Sequence, residues 1–411
     1  MVGAREHYAV PRLFHKLGKL ERFYTDAWFP RGVLGAHRLG RSFARLASRF
    51  HPELRSAPVR SFGLRMIPHE TRFRLFGSKG YDANCRFWVE QGKLFGRLVC
   101  GDLARRTLDP SLHMYFGFTS TGLETYRWLR ERGVQSVHDE VGAAGTYERL
   151  LKEEIVRFPG WEQNPPSTPD FFLERSREEW NSASAVLVNS EFSRRALIEQ
   201  GAPADRMVVV PLAYQPSGEV PDRSDRTGPL RVLFLGRASL MKGIPDFLAA
   251  ARLVSSRAQF RVVGPMHVAQ SVRESAPSNV EWTGAVSRGE TAEHYRWADV
   301  FVFPTICDGF GMTQIEAMAF GLPVISTTNC GDVVTDGVDG FRVPIRSPEA
   351  IADRLNTFAD DRSLRVRMSE AAARRSTAFS LERYYECLLS ELQRVGLART
   401  HTAQTTSSRL Q

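Results

Sequence analysis

Two stretches of this chain, residues 113–211 and 232–377, share one rhythm: short runs of β-branched and aromatic residues alternate with segments whose apolar residues recur at helical spacing. In the first stretch the pattern predicts strands at 113–118, 135–139, 185–188 and 207–211, with helices at 122–132, 147–158, 170–181 and 191–200. In the second it predicts strands at 232–235, 260–263, 280–283, 300–303 and 324–326, with helices near 243–256, 287–297, 312–320, 348–358 and 361–377. Strands separated by helices pair in parallel and are covered on both faces, so each stretch reads as an α/β domain. Between them, Tyr214 to Pro229 has no apolar period and many chain breakers, the mark of a linker. The division is then an N-terminal domain at 1–213, a linker at 214–229 and a C-terminal domain at 230–378. A last helix follows within 379–395, and a Thr/Ser/Gln-rich tail at 396–411 is expected to fray. Two such domains leave a cleft, and ligands bind at the carboxyl ends of parallel strands.

The stretch from Val300 to Pro323 carries the most chemistry. An apolar strand, Val300 to Phe303, runs into a loop containing Asp308, Gly309, Phe310 and Gly311. Helical spacing starts at Met312 and Thr313 and stops at Gly321 and Pro323. A strand thus delivers a glycine loop to a helix N-terminus, where backbone N–H groups and the positive dipole end favour an anion. Glu316, one turn into the helix, could accept two hydrogen bonds from a vicinal diol such as a ribose. Asp308 could accept from the hydroxyls of a second sugar. The same residues also suit a plain strand–turn–helix unit with a first-turn acid, and this stretch alone leaves both readings open.

A second stretch, Val232 to Gly243, ends a strand at Gly236 and places Arg237 and Lys242 around a loop that opens a helix. Arg as a planar fork and Lys as a point charge suit a diphosphate. No Gly-x-Gly-x-x-Gly unit and no Walker lysine motif occurs, which disfavours dinucleotide dehydrogenases and P-loop ATPases. There is no Asp-x-Asp triplet, which argues against a metal-bridged sugar transferase. Charge on a leaving diphosphate would then fall to Arg237, Lys242 and backbone donors.

An acidic residue, Gly-Phe-Gly, a Glu eight positions on and then Ala-Met-Ala-x-Gly-x-Pro-Val resembles the acidic-x7-Glu signature of retaining glycosyltransferase family four, the glycosyl transferases group one. That family usually has Glu where this chain has Asp308. The resemblance covers 185–345 well and 1–160 weakly. It implies the GT-B fold, two Rossmann-like domains facing across a cleft, with the last helix crossing back to the first domain. It implies transfer of a sugar from a nucleoside diphosphate sugar to an acceptor hydroxyl with retention. Glu316 would meet the ribose, Asp308 and the Gly309–Met312 backbone the sugar and phosphate, and Arg237 and Lys242 the diphosphate. Val286, in Trp282-Thr-Gly-Ala-Val286, falls where the family holds the base, and Cys330-Gly331 partly matches a glycine pair near the site. In the N-terminal half Gly3 stands for the family's turn glycine, and His7 and His138 are candidates for its polar group at the cleft, His138 equally readable as structural. Ser190, in Asn189-Ser190-Glu191, reads as a helix cap.

The formal charge of +9 is unevenly spread, since residues 1–100 hold 19 Lys/Arg against 7 Asp/Glu. Such a balance suggests an anionic partner. Residues 36–50 read as a basic amphipathic helix that either packs on its own domain or lies on a membrane. With no nucleic-acid motif, the expected partners are a nucleotide sugar, a sugar or lipid-linked acceptor and an anionic membrane surface. Five widely spaced cysteines without a Cys-x-x-Cys pair indicate neither a zinc site nor a disulfide framework. No apolar run approaches a membrane span. The expectation is a cytoplasmic enzyme, peripheral at the inner membrane face, that needs no cofactor or metal. A strand before Gly3 has only Met1 and Val2 to form it, so the expectation is either a very short first strand or a true start upstream. The rival readings are a nucleotide-sugar epimerase or phosphorylase of the same fold, a non-catalytic nucleotide-sugar-binding subunit, and a nucleic-acid protein.

Overall fold

The computed structural model describes residues 8–29, 49–77, 80–162, 165, 167–215, 220–223, 226–287 and 289–397. Gly3, His7 and most of the 36–50 segment lie outside them. The first lobe opens with α1 (Ala9–Lys16), β1 (Phe23–Thr25), β2 (Val59–Ser61), α2 (Gly63–Phe76) and α3 (Tyr81–Leu103). Then β3 (Met114–Phe118), α4 (Leu123–Arg130), β4 (Gln135–Asp139), α5 (Ala144–Arg157), α6 (Asp170–Ser182), β5 (Ala185–Val188), α7 (Glu191–Ile198) and β6 (Met207–Val209) alternate as the pattern requires. These four strands form a parallel sheet in sequential order, β3-β4-β5-β6. The short strand at 23–25 stays apart from it and pairs in parallel with β2.

The second lobe contains β7 (Leu230–Leu235), α8 (Ile244–Leu253), β8 (Ala258–Val263), α9 (Gln270–Glu274), β9 (Val280–Gly284), α10 (Thr291–Trp297), β10 (Val300–Phe303) and α11 (Met312–Ala319). It continues through β11 (Val324–Thr327), β12 (Gly340–Val343), α12 (Pro348–Asp360) and α13 (Arg362–Ser376). Its sheet is parallel and six-stranded, ordered β12-β11-β10-β7-β8-β9. β7 therefore has β8 on one side and β10 on the other, and the chain leaves these strands in opposite directions. That divergence is a topological switch point, where a crevice opens beyond the strand ends. The core strands are buried on both faces, as a doubly covered parallel sheet demands: Val232, Leu233, Val300, Phe301 and Val302 have no exposed surface.

The last helix, α14 (Leu381–Arg394), returns to the first lobe. Its stripe Tyr384, Tyr385, Leu388 and Leu392 packs with Leu13 of α1 and with Val137, Leu187 and Val208 of the sheet. Arg394 Nη2 donates to the Met207 carbonyl at 2.7 Å. Two parallel-sheet lobes and a returning terminal helix constitute the GT-B architecture.

Candidate functional site

At the switch point the loops after β7 and β10 are pressed together. The first turns through Leu240–Lys242 in a single 3-10 turn to Gly243, whose φ of 73° starts α8. A Cβ on Gly243 would lie 1.8 Å from the Pro304 carbonyl, so only glycine permits this approach. The second loop is hung on the first: Ile306 N and Thr305 Oγ1 both donate to the Met241 carbonyl at 3.0 Å. It ends at Gly311, φ 80°, where a Cβ would strike the Phe303 ring at 2.5 Å. α11 begins there, so its first turn faces the crevice with its N–H groups and positive dipole end.

The side chains follow from that packing. Lys242 Nζ forms an ion pair with Asp308 Oδ2, and it lies 5.6 Å from the Phe303 ring centroid. Asp308 Oδ1 accepts from Phe310 N at 3.1 Å, and Asp308 N donates to the Asn329 carbonyl at 3.0 Å. Glu316 accepts from the Tyr295 hydroxyl at 2.8 Å through Oε2. Burial and the neighbouring Glu316 charge push the Tyr295 phenol well above its ordinary value, so it remains a donor. Lys242 and Asp308 are thus paired at the junction of the two loops, and Glu316 follows one turn into α11 against Tyr295. Arg237, exposed just after β7, makes no ion pair with these three among the described residues. Its charge is felt by Tyr147, Glu162 and His267 instead. Burial, then that charge, lowers the His267 imidazole. Burial and Glu162 push the Tyr147 phenol up to about 12.

The remaining residues singled out by sequence fall as follows. Gly236 N donates to the Val263 carbonyl at 2.9 Å, at the same end of the sheet. Val286 packs against the apolar cluster that contains Tyr295, Phe301 and Phe303. Phe310 is buried, while Met312 and Thr313 are half-buried in the first turn of α11. Gly309 meets the other lobe, its carbonyl accepting from Ser190 Oγ at 2.6 Å and Ser193 Oγ at 3.2 Å. His138 requires a correction, because it does not face the cleft. It is fully buried, with Nδ1 3.0 Å from the Tyr126 hydroxyl and Nε2 3.2 Å from Glu140 Oε2. Gly3 and His7 are outside the described residues.

Three contacts escaped the sequence reading. Ser190 caps α7 as expected, accepting from Ser193 N at 3.0 Å, yet the same hydroxyl also holds the Gly309 loop. Glu162 Oε1 accepts from Leu240 N, reaching the loop after β7 from the first half of the chain. Arg346 joins the lobes through Glu153 at 2.7 Å and Glu154 at 2.6 Å. The seam beside these bonds is apolar, with Leu150, Leu151 and Phe192 against Met241, Ile306 and Cys307. The sequence signals for these contacts were a capping serine, one loop acid and two helix acids, and nothing in them points across a cleft. Among the described residues no group of three or more His, Cys, Asp or Glu converges to hold a metal ion.

Residues 229–361 match the family described as Glycosyl transferases group 1. A Staphylococcus aureus capsular polysaccharide biosynthesis glycosyltransferase, CapM, is 33% identical over 143 residues, 32% of this chain and 37% of that protein. A D-inositol 3-phosphate glycosyltransferase from Kineococcus radiotolerans is 31% identical over 222 residues, 45% of this chain and 51% of that one. The chain therefore spans about half or less of the length of these relatives. Over nearly its whole length the fold is similar to that of Anabaena HepE, crystallised in complex with UDP and glucose, at TM-score 0.60 and 15% identity, covering 95% of this chain and 96% of that one. A Rickettsia africae glycosyltransferase superposes at TM-score 0.57 and 15% identity, covering 97% and 96%. The C-terminal lobe, with its loops gathered at the switch point, is similar to the glycosyl transferases group 1 family, and the chain as a whole has the GT-B fold.

Proposed function

We propose that this protein transfers a sugar from a nucleoside diphosphate sugar to an acceptor hydroxyl, with retention at the anomeric carbon, in the synthesis of a polysaccharide, glycolipid or other cell-surface glycan. The observation that carries the reading is the meeting of Lys242 with Asp308 on the loop that leads into Glu316. In this reading the Glu316 carboxylate takes the ribose hydroxyls and Val286 borders the base. Lys242, Arg237 and the backbone of Gly309–Met312 take the diphosphate, and Asp308 takes the transferred sugar. The anomeric carbon–oxygen bond to the phosphate breaks, its electron pair leaving on the nucleoside diphosphate. The acceptor oxygen bonds to that carbon and its proton passes to the departing phosphate. Cations and backbone donors aimed at the leaving group lower the barrier by stabilising charge as it develops, so no metal is assigned a role. Ligand entry must first separate Lys242 from Asp308, or bring the phosphate in as a third partner. The acceptor would arrive from the N-terminal lobe, carried by a lipid at the cytoplasmic face of a membrane. Among the described residues no helix is long and apolar enough to cross that membrane.

The test is a thermal-shift screen of nucleoside diphosphates and their sugars, followed by product analysis. A ligand at about 100 times its Kd adds ~2.7 kcal/mol to stability. A shift with one nucleoside diphosphate, and its loss in Lys242→Ala, is the expected result. Absence of any shift would sink the donor assignment. A sugar altered without an acceptor would mark an epimerase, and tight binding with neither hydrolysis nor transfer would mark a binding subunit.

A further inference from the structure

We infer that the α2–α3 hairpin is a docking surface for an anionic phospholipid bilayer, with a lipid headgroup phosphate received between Arg60, Arg65, Arg97 and Arg105. The inference rests on the proposed function only in giving its membrane contact a location.

α2 is held to α3 along a narrow line. Met66 is buried, the Phe73 ring stacks on Phe87 with centroids 4.1 Å apart, and Phe62, at the start of the helix, meets Phe95 edge-on at 5.9 Å. His69 also stacks on Phe87, and most of the remaining side chains of α2 are exposed. Leu64 is 97% exposed, Phe76 81% and Leu75 69%, with Arg65 and Arg72 exposed between them. One exposed leucine means little, but three large apolar side chains exposed on one helix beside arginines offer a bilayer both acyl and headgroup contacts. Beside Leu64 is a cavity of about 290 Å³ lined by Arg60, Arg65, Arg97, Arg105 and one acid, Asp102. Asp102 is already committed to Tyr24, Arg60 and Arg106 at 2.9, 3.4 and 3.6 Å. Among the described residues Arg65, Arg97 and Arg105 form no ion pair. A cavity rich in guanidinium groups suits a phosphate, and the leucine at its rim suits the acyl boundary behind it.

The same chemistry disfavours other occupants. A second copy would set arginines against arginines, and a nucleic acid would leave Leu64, Leu75 and Phe76 without a partner. The hairpin also leads to the cleft: Tyr81, the first residue of α3, feels the Arg237 charge. Lying along a bilayer, the hairpin would bring the mouth of the cleft to the surface from which a lipid-linked acceptor arrives.

Vesicle sedimentation of the full chain, without nucleotide, tests this. Two vesicle types serve, phosphatidylcholine alone and phosphatidylcholine with about one-third phosphatidylglycerol, the latter supplying the negative surface potential. Binding to the anionic vesicles and little to the neutral ones is expected. At about fivefold per arginine, Arg65→Glu/Arg97→Glu/Arg105→Glu together should weaken binding a hundredfold or more. Leu64→Ser/Phe76→Ser should weaken it about tenfold. Charge-matched Arg362→Glu/Arg367→Glu/Arg374→Glu on α13 should change it less than the patch variant does. Equal loss in that control, equal binding to both vesicle types, or no binding at all would overturn the proposal. So would vesicle-free dimerisation abolished by Leu64→Ser/Phe76→Ser, which would give the face to a second copy. Melting temperature and the nucleotide-induced shift, measured on each variant, should stay at wild-type values. A chain that binds vesicles but no nucleoside diphosphate would support this surface and sink the donor assignment alone.

Discussion

The strand ends of the two lobes spend their polar residues differently. In the N-terminal lobe they are turned inward and bonded to one another. Glu140 accepts from Trp180 Nε1 at 2.8 Å and Thr119 Oγ1 at 2.9 Å, and Glu179 accepts from Ser120 N at 2.8 Å and Gly122 N at 3.1 Å. Burial raises Glu140, but bonds from His138, Trp180 and Thr119 more than offset it and hold the carboxyl below its ordinary value. Glu179, fully buried, goes the other way. In the C-terminal lobe Lys242, Asp308 and Glu316 are partly exposed and lean on only one or two neighbours each. A fully satisfied buried network fixes a shape, whereas a half-satisfied exposed one can exchange partners. One set builds the cleft and the other is available to bind.

The contrast can be broken by exchanging the readouts. Lys242→Ala should cost a hundredfold or more in kcat/KM, the effect of losing one charge-stabilising donor, with little change in melting. A near-normal rate would end the diphosphate assignment. His138→Ala should do the reverse, lowering unfolding free energy by about 3 kcal/mol because Tyr126 and Glu140 lose a buried partner, while nucleotide affinity holds. Loss of affinity without loss of stability would return His138 to the site.

Asp246, at the seam between the lobes, sharpens the comparison through pH. Burial, then the Glu154 charge, raises its carboxyl from 3.8 to about 6. The folded chain therefore binds a proton that the unfolded chain releases between these values, and stability drains away as pH rises through that window. Asp246→Asn should be more stable than wild type by up to about 3 kcal/mol at pH 8, the gap closing as pH falls below 4. Urea titrations at both ends of the range give the sign. Ser190→Ala should lower stability by about 1 kcal/mol through its cap, and free the Gly309 loop besides. EDTA should leave turnover unchanged, and loss restored by Mg²⁺ would contradict the charge-based account.

The C-terminal sheet was legible because its strands are apolar on both faces and its loops carry glycines at functional turns. β7 begins two residues before the expected strand, and β12 and α9 were missed for want of a long apolar run. Legibility failed where the chain is not periodic. α3 reads poorly because Gly92 and Gly96 interrupt it. Yet a Cβ on Gly92 would lie 1.8 Å from the Ser120 carbonyl, so the glycine marks close packing and not a break. α2 hides because it buries little beyond Met66. In the site, Lys242 and Asp308 were readable from their loops and Glu316 from the first turn of its helix, and the structure pairs Lys242 with Asp308 and Glu316 with Tyr295. His138 was misread because a histidine near a strand end looks the same in sequence whether it turns in or out. The distance between Arg237 and the acids depends on loop paths that no local pattern specifies.

Trp161 and Glu162 belong to the first half of the chain but lie on the second lobe, where the Trp161 carbonyl accepts from Ala269 N at 2.7 Å and Glu162 forms a β-bridge with Val268. Among the described residues, with the linker and the returning α14, the polypeptide thus passes between the lobes at three places. A body strapped at three points cannot swing freely about a single axis. Any opening of this cleft must either peel that excursion away or be confined to the small rotations it allows.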